Sequence, residues 1–192
     1  DLHTIIYFFS KYSNEPIWYY EVDNQVSQFS MSQDGEYFAA AYKYNGGNQG
    51  SNIDLFGRFN STPLKNFTTE LQEVISVDIS EDGKYIAAAT TQTNDLGIVY
   101  LFNTKIETDD PLWYYIVDSS LASISISSNG QYVAVGTLDS KLLFFEKYSS
   151  TPLWTYDRTS YGESYAVKVA ISENGKYIVI GSESGLYSFD KS

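Results

Sequence analysis

Four stretches of the chain alternate apolar with small or polar residues. They centre on Phe29-x-Met31, Val77-x-Ile79, Ile124-x-Ile126 and Val169-x-Ile171. A period of two predicts strands with one face turned to a core, over 26–32, 74–80, 121–127 and 166–172. Each runs into the same punctuation, Ser32-Gln33-Asp34-Gly35-Glu36-Tyr37, Ser80-Glu81-Asp82-Gly83-Lys84-Tyr85, Ser127-Ser128-Asn129-Gly130-Gln131-Tyr132 and Ser172-Glu173-Asn174-Gly175-Lys176-Tyr177. Asp-Gly and Asn-Gly are strong hairpin signals because both residues tolerate the positive φ of a reversing turn. A second strand follows each turn: Tyr37-Phe38-Ala39-Ala40, Tyr85-Ile86-Ala87-Ala88, Tyr132-Val133-Ala134-Val135 and Tyr177-Ile178-Val179-Ile180. Its small residues would let a neighbouring sheet approach closely.

A third strand ends in paired apolar residues at Phe8-Phe9, Leu55-Phe56, Leu101-Phe102 and Phe144-Phe145, with Tyr187-Ser188-Phe189 as a fifth copy. All four prolines follow a third strand, and all three tryptophans stand two residues after a proline, in Pro16-Ile17-Trp18, Pro111-Leu112-Trp113 and Pro152-Leu153-Trp154; Pro63-Leu64-Lys65 is the variant. Proline cannot donate to a ladder, so its place suits the start of an outer edge strand. The turn glycines are spaced by 48, 47 and 45 residues. A period in the forties made of short strands predicts a propeller or solenoid in which each repeat is one small sheet. We therefore expect an all-β chain, a β-propeller of about four four-stranded blades. The approximate repeats are 1–25 (partial), 26–73, 74–120, 121–165 and 166–192 (partial), within one domain over 1–192. Because the chain starts and stops at a third strand, it could form a small ring, a segment of a larger propeller, or one part of a ring made by two chains.

The order of elements, with Ser80-Glu81-Asp82-Gly83-Lys84-Tyr85-Ile86-Ala87-Ala88 and the Pro-Leu-Trp-x-Tyr segments at 111–115 and 152–156, resembles the blade of a WD-repeat β-propeller, in the variety found in predicted archaeal and bacterial surface proteins. The resemblance covers nearly the whole chain and speaks to fold, not to function. The family's Gly-His dipeptide is missing, and no Trp-Asp pair closes a third strand. Asp139 alone holds a place like the family's buried turn aspartate. The resemblance thus implies that aromatic packing replaces the usual polar network.

Charge narrows the partners. Twelve Lys and Arg against 24 Asp and Glu leave a formal net charge of −12, which repels nucleic acid and anionic membrane surfaces. No apolar run approaches the ~20 residues that span a bilayer, so no membrane insertion is expected. Cysteine is absent, which excludes disulfides and thiolate metal sites and leaves the compartment open between a cell surface, favoured by the Tyr-, Ser- and Asn-rich composition, and the cytoplasm. The start at Asp1 reads as a processed product or an excised fragment. Asn60-Ser61-Thr62 and Asn66-Phe67-Thr68 are glycosylation sequons.

Catalytic signals are sparse. His3 is the single histidine, so no Ser-His-Asp or Cys-His set can be assembled. Asp109 and Asp110, beside Glu107, read as a solvated loop before they read as a calcium site. Asp34 and Asp82 read as turn residues, since Asn129 and Asn174 replace them in later repeats. Gly46-Gly47-Asn48-Gln49-Gly50 lacks the lysine and helix of a phosphate loop. No metal or cofactor is expected. The positions that break the repeat are Asp78, where other copies have Ser30, Ser125 or Ala170, and Lys168, where others have Gln28, Ser76 or Ser123. Both would lie on innermost strands near a central axis, tuning it or binding a polar ligand. Tyr42, Tyr44 and Tyr161 fall in the long loops 42–52 and 157–165, where a constant scaffold would present recognition residues. The expectation is a non-enzymatic binding or scaffold module with a protein or glycan partner. The alternatives are a self-assembling unit pairing through unmatched terminal strands and a propeller-type carbohydrate-active enzyme.

Overall fold

The computed structural model describes residues 4–43, 52–69, 73–92, 94–157, 166–182 and 185–190. They form seventeen strands and five antiparallel sheets. The N-terminal sheet has two strands, β1 (Thr4–Phe9) and β2 (Pro16–Val22). Three four-stranded sheets follow: β3 (Val26–Met31), β4 (Tyr37–Tyr42), β5 (Asn52–Gly57) and β6 (Lys65–Thr68); β7 (Glu73–Ile79), β8 (Tyr85–Thr91), β9 (Gly97–Asn103) and β10 (Trp113–Val117); β11 (Leu121–Ile126), β12 (Tyr132–Thr137), β13 (Lys141–Glu146) and β14 (Trp154–Asp157). The last sheet has three strands, β15 (Ala166–Ile171), β16 (Tyr177–Ser182) and β17 (Gly185–Asp190). Each sheet is a meander in chain order, as the repeat predicts. The inner strands β3, β7, β11 and β15 neighbour one another in that order. No comparable packing brings β15 back to β3 among the described residues, and β1–β2 and β15–β17 are separate sheets. The architecture is a propeller-like array of sheets.

The hairpin turns are built differently from a two-residue reversal. Glycine alone takes the positive φ, at +69°, +65°, +66° and +71° for Gly35, Gly83, Gly130 and Gly175. The preceding Asp or Asn is not left-handed; its side chain is what the turn uses. Asp34 Oδ1 accepts from Ser32 Oγ at 2.7 Å and from the Glu36 amide at 2.9 Å, while Ser32 Oγ accepts from the Tyr37 amide at 3.0 Å. The same set recurs at Asp82, Asn129 and Asn174. Oδ1 is common to carboxylate and amide, which explains why Asp and Asn alternate there.

The core lies between sheets in four layers. In the first, Ile6 and Phe8 with Trp18, Tyr20 and Val22 pack on Phe38, Ala40, Tyr42 and Phe56. Phe38 stacks on Phe56 at 4.8 Å and Phe8 on Trp18 at 5.2 Å. The second-strand alanines, Ala39 to Ala41 and Ala87 to Ala89, are fully buried and let the sheets close up. Outer strands are tied across the gap by indoles: Trp18 Nε1 donates to the Arg58 carbonyl at 2.8 Å and Trp113 Nε1 to the Lys147 carbonyl at 2.6 Å, each in the following repeat.

A second tie is the tyrosine that opens the second strand, at Tyr37, Tyr85 and Tyr132. Its ring lies on the turn glycine of the next sheet, so that a Cβ on Gly83, Gly130 or Gly175 would meet Tyr37, Tyr85 or Tyr132 at 2.3, 2.3 and 2.2 Å. At Gly35 the nearest atom would be Met31 Sδ at 4.0 Å. Alanine at Gly130 therefore adds a ring clash to the backbone strain of positive φ, whereas at Gly35 only the strain remains. Gly130→Ala should cost about 3 kcal/mol and Gly35→Ala about 1 kcal/mol in denaturant unfolding. Equal losses at the two positions would refute the ring-on-glycine contact.

Candidate functional site

The inner strands carry the residues that break the repeat. Every one of them contains a bulge near its start, between Val26 and Gln28, Val74 and Ser76, Leu121 and Ser123, and Ala166 and Lys168. The extra residue turns polar side chains toward the neighbouring inner strand rather than into the layers. Ser27 Oγ donates to the Val74 carbonyl at 3.0 Å, Ser76 Oγ accepts from the Ile124 amide at 3.2 Å, and Ser123 Oγ accepts from the Val169 amide at 2.7 Å. Side chains thus supply a ladder between inner strands that belong to different sheets.

Asp78 is the centre of that ladder. Its Oδ1 accepts from Ser30 Oγ at 2.7 Å and from the Ile79 amide at 3.0 Å; its Oδ2 accepts from Ser125 Oγ at 3.2 Å and from the Ile126 amide at 2.9 Å. One carboxylate joins three repeats through four donors. Asp78 and Lys168 are not brought together: among the described residues no ion pair links them, and Lys168 stands exposed on β15.

The other expected residues divide. Tyr44 and Tyr161 lie outside the described residues, as do His3 and the glycine-rich stretch 46–50. Tyr42 is not a loop residue. It ends β4 with 2% of its surface exposed, because its hydroxyl donates to Asp54 Oδ2 at 2.8 Å within the first layer. Asp54 Oδ1 accepts from Asn66 Nδ2 at 2.5 Å; the amide nitrogen of that sequon is therefore engaged in the fold, while Asn60 lies in an exposed turn. Asp109 takes Lys65 Nζ at 3.4 Å, anchoring its loop to the preceding repeat. Asp139 accepts from Thr137 Oγ1 at 2.5 Å and pairs with Lys141 Nζ at 2.5 Å, a local turn network.

Where the turns converge, Asp34, Glu81, Asp82, Ser128, Asn129, Glu173 and Asn174 line an open depression of about 510 Å³. The Glu36 amide and the Ser32 hydroxyl hold the Asp34 carboxyl below its ordinary value. At Asp82 burial pushes upward, but the Lys84 ammonium and amide together with Ser80 bring it below. No set of three His, Cys, Asp or Glu close enough to hold a metal occurs among the described residues. Both aspartates are committed to their turns.

Sequence reasoning missed three features: the inner-strand serines as donors and acceptors, the tyrosine-on-glycine contact, and the Tyr42–Asp54 pair. The recurrence of a Tyr some 43 to 46 residues before a Gly, as in Tyr37 and Gly83, Tyr85 and Gly130, Tyr132 and Gly175, was the available signal for the second. Compared with known proteins, the chain matches no family model and no curated protein sequence.

Burial raises the Asp54 carboxyl above its ordinary 3.8, and the hydrogen bonds from Tyr42 and Asn66 only partly oppose this. A raised folded value favours the protonated form, so its stabilising contribution is full below 3.8 and is lost as pH rises through the folded value. Asp54→Asn stays neutral throughout. The variant's melting temperature should gain on wild type as pH rises from the ordinary value of 3.8 through the raised folded value, and hold a constant lead above it. A difference that does not change with pH would contradict the upward shift of the Asp54 carboxyl.

Proposed function

We propose that the chain is a non-catalytic binding or scaffold module of the β-propeller kind, displayed at a cell surface and taking a protein or glycan partner. The observation that supports this reading is the state of Asp78. A general acid or nucleophile needs a carboxylate that can reach a substrate, with a second carboxyl about 5 to 10 Å away. Asp78 is held by four donors from three repeats, which makes it a clip between sheets. The polar side chains of the inner strands serve the same end, leaving recognition to surfaces that vary from repeat to repeat. The net charge of −12 favours partners presenting basic or neutral polar groups and disfavours nucleic acid. The resemblance to surface-protein propeller repeats, the exposed sequon at Asn60 and the Tyr-, Ser- and Asn-rich composition support a location outside the cell.

Asp78→Asn separates a clip from a catalytic acid. It keeps one acceptor oxygen and places an amide against a donor, so the fold should lose about 1–3 kcal/mol by thermal or denaturant unfolding. A panel of chromogenic glycosides should show no turnover by either protein. Glycoside hydrolysis by wild type that disappears in a fully folded Asp78→Asn protein would replace the binding module with a carbohydrate-active enzyme.

A further inference from the structure

The turns between third and fourth strands repeat a motif whose apolar residue the core does not use: a cation, a large apolar residue, a short polar run and the proline. It reads Lys11-Tyr12-Ser13-Asn14-Glu15-Pro16, Arg58-Phe59-Asn60-Ser61-Thr62-Pro63 and Lys147-Tyr148-Ser149-Ser150-Thr151-Pro152, with Lys105-Ile106 at the same place in the sheet β7–β10. Tyr12, Tyr148 and Phe59 are the most exposed large apolar residues among the described residues, at 85%, 79% and 73%. Apolar residues scattered singly over a surface are ordinary; these three hold one position of the repeat. Tyr148 belongs to a sheet packed on both faces, against β7–β10 and against β15–β17, so its exposure is a property of the turn. The rings are held in place. Lys11 Nζ, Arg58 Cζ and Lys147 Nζ lie 4.9, 4.8 and 4.6 Å from the centroid of the ring that follows each. Lys147 is itself buried and lies 4.7 Å from the Tyr85 ring of the preceding sheet, and Arg58 pairs with Glu36 at 2.5 Å. These two cations are engaged within the fold and cover one side of their rings, while the other side is left to water. Each turn also lies beside the hairpin turn of its own sheet: the Arg58, Thr104 and Lys147 amides donate to the Glu36, Lys84 and Gln131 carbonyls at 2.8, 2.9 and 2.8 Å. Phe59, Ile106 and Tyr148 therefore stand at one edge of three adjoining sheets.

We propose that these turns are the platforms of a binding site for a neutral polysaccharide, one sugar ring stacking on Tyr148 and a further stretch of the same polymer on Phe59. This rests on the binding-module reading and selects the glycan from its two kinds of partner. The occupant follows from the chemistry of the turns. With its cation engaged, each offers a flat ring beside uncharged hydroxyl and amide groups, Asn60, Ser61 and Thr62 at one and Ser150 and Thr151 at the other, all exposed. A pyranose is the complement of that surface. Its axial C–H groups form an apolar, weakly positive face that suits the negative face of an aromatic ring, and its hydroxyls exchange hydrogen bonds with hydroxyls and amides. The net charge of −12 disfavours sulfated and uronic polymers. A lipid headgroup phosphate would ask for a free cation, and those beside Phe59 and Tyr148 are paired or buried. Repetition points to a polymer, since one apolar residue per sheet meets a ligand built of repeating units, and contacts that are weak singly gain strength when linked. Rings already fixed by their cations lose little freedom on binding.

Native affinity electrophoresis of the full chain tests this, in gels holding dissolved galactomannan, mixed-linkage β-glucan or dextran, with dextran sulfate as the anionic control. At least one neutral polymer should retard the wild type, and its monosaccharides should not compete. Tyr148→Ala and Phe59→Ala should each weaken retardation about five- to tenfold, and the two together about thirty-fold or more. Both positions are exposed, so the variants should keep the wild-type unfolding midpoint. Tyr148→Phe keeps the ring and should keep the binding; its loss there would overturn stacking. Retardation that persists undiminished in the folded double variant would overturn the ring platforms and leave a glycan-binding module standing. Retardation by none of the neutral polymers would overturn the proposal and leave the binding reading only its protein partner. Sedimentation with neutral phosphatidylcholine vesicles that is lost with the same two rings would replace the polysaccharide with a lipid surface.

Discussion

Everything in this molecule depends on one constraint: a sheet of three or four short strands has two apolar faces and cannot bury either by itself. Each sheet is completed by the one before it and the one after it. The core is accordingly a series of four layers between sheets rather than one central mass, and stability accumulates interface by interface. Three ties fix the spacing of those interfaces at different radii. Inner strands are joined by Asp78 and the serines, second strands by tyrosine rings on glycine, and outer strands by indole hydrogen bonds to the next repeat. Together they hold the stack in register where van der Waals packing alone would let flat faces slide.

The same constraint explains why polar residues near the axis are poor evidence of chemistry. Inner strands lie at the edges of their sheets and carry backbone groups that no ladder within the sheet satisfies. An acceptor such as Asp78, or a hydroxyl such as Ser76, answers the amides of the neighbouring repeat, and leaving those amides unpaired would cost more than the bond itself returns. A carboxylate in that position is explained by the backbone it serves.

Much of the fold was legible because it follows from local rules. The period-two strands, the glycine turns and the proline-marked outer strands each sit within a few residues of the signal that announces them. What was not legible depends on contacts across a whole repeat. The bulges leave no mark in composition, since Ser27, Ile75, Ala122 and Val167 share no feature. Asp78 stood out as a departure from the repeat, but its role is set by Ser30 and Ser125, 48 and 47 residues away. Tyr42 read as the start of a loop because its partner Asp54 lies beyond a long connection. Asp-Gly was correctly a hairpin signal, yet for a different reason than φ tolerance at the aspartate, whose side chain acts as the acceptor that closes the turn.

The account's central claim is that stability is passed from sheet to sheet and weakens toward the two-stranded first sheet and the three-stranded last one. Native-state amide hydrogen exchange tests it residue by residue. The slowest exchange should fall in the doubly covered sheets β7–β10 and β11–β14, including the amides of Ile79 and Ile126 held at the Asp78 junction, with β1–β2 and β15–β17 opening at distinctly lower free energy. Protection in β1–β2 equal to that of β8 and β9 would mean that the chain opens only as a whole, and would contradict the account.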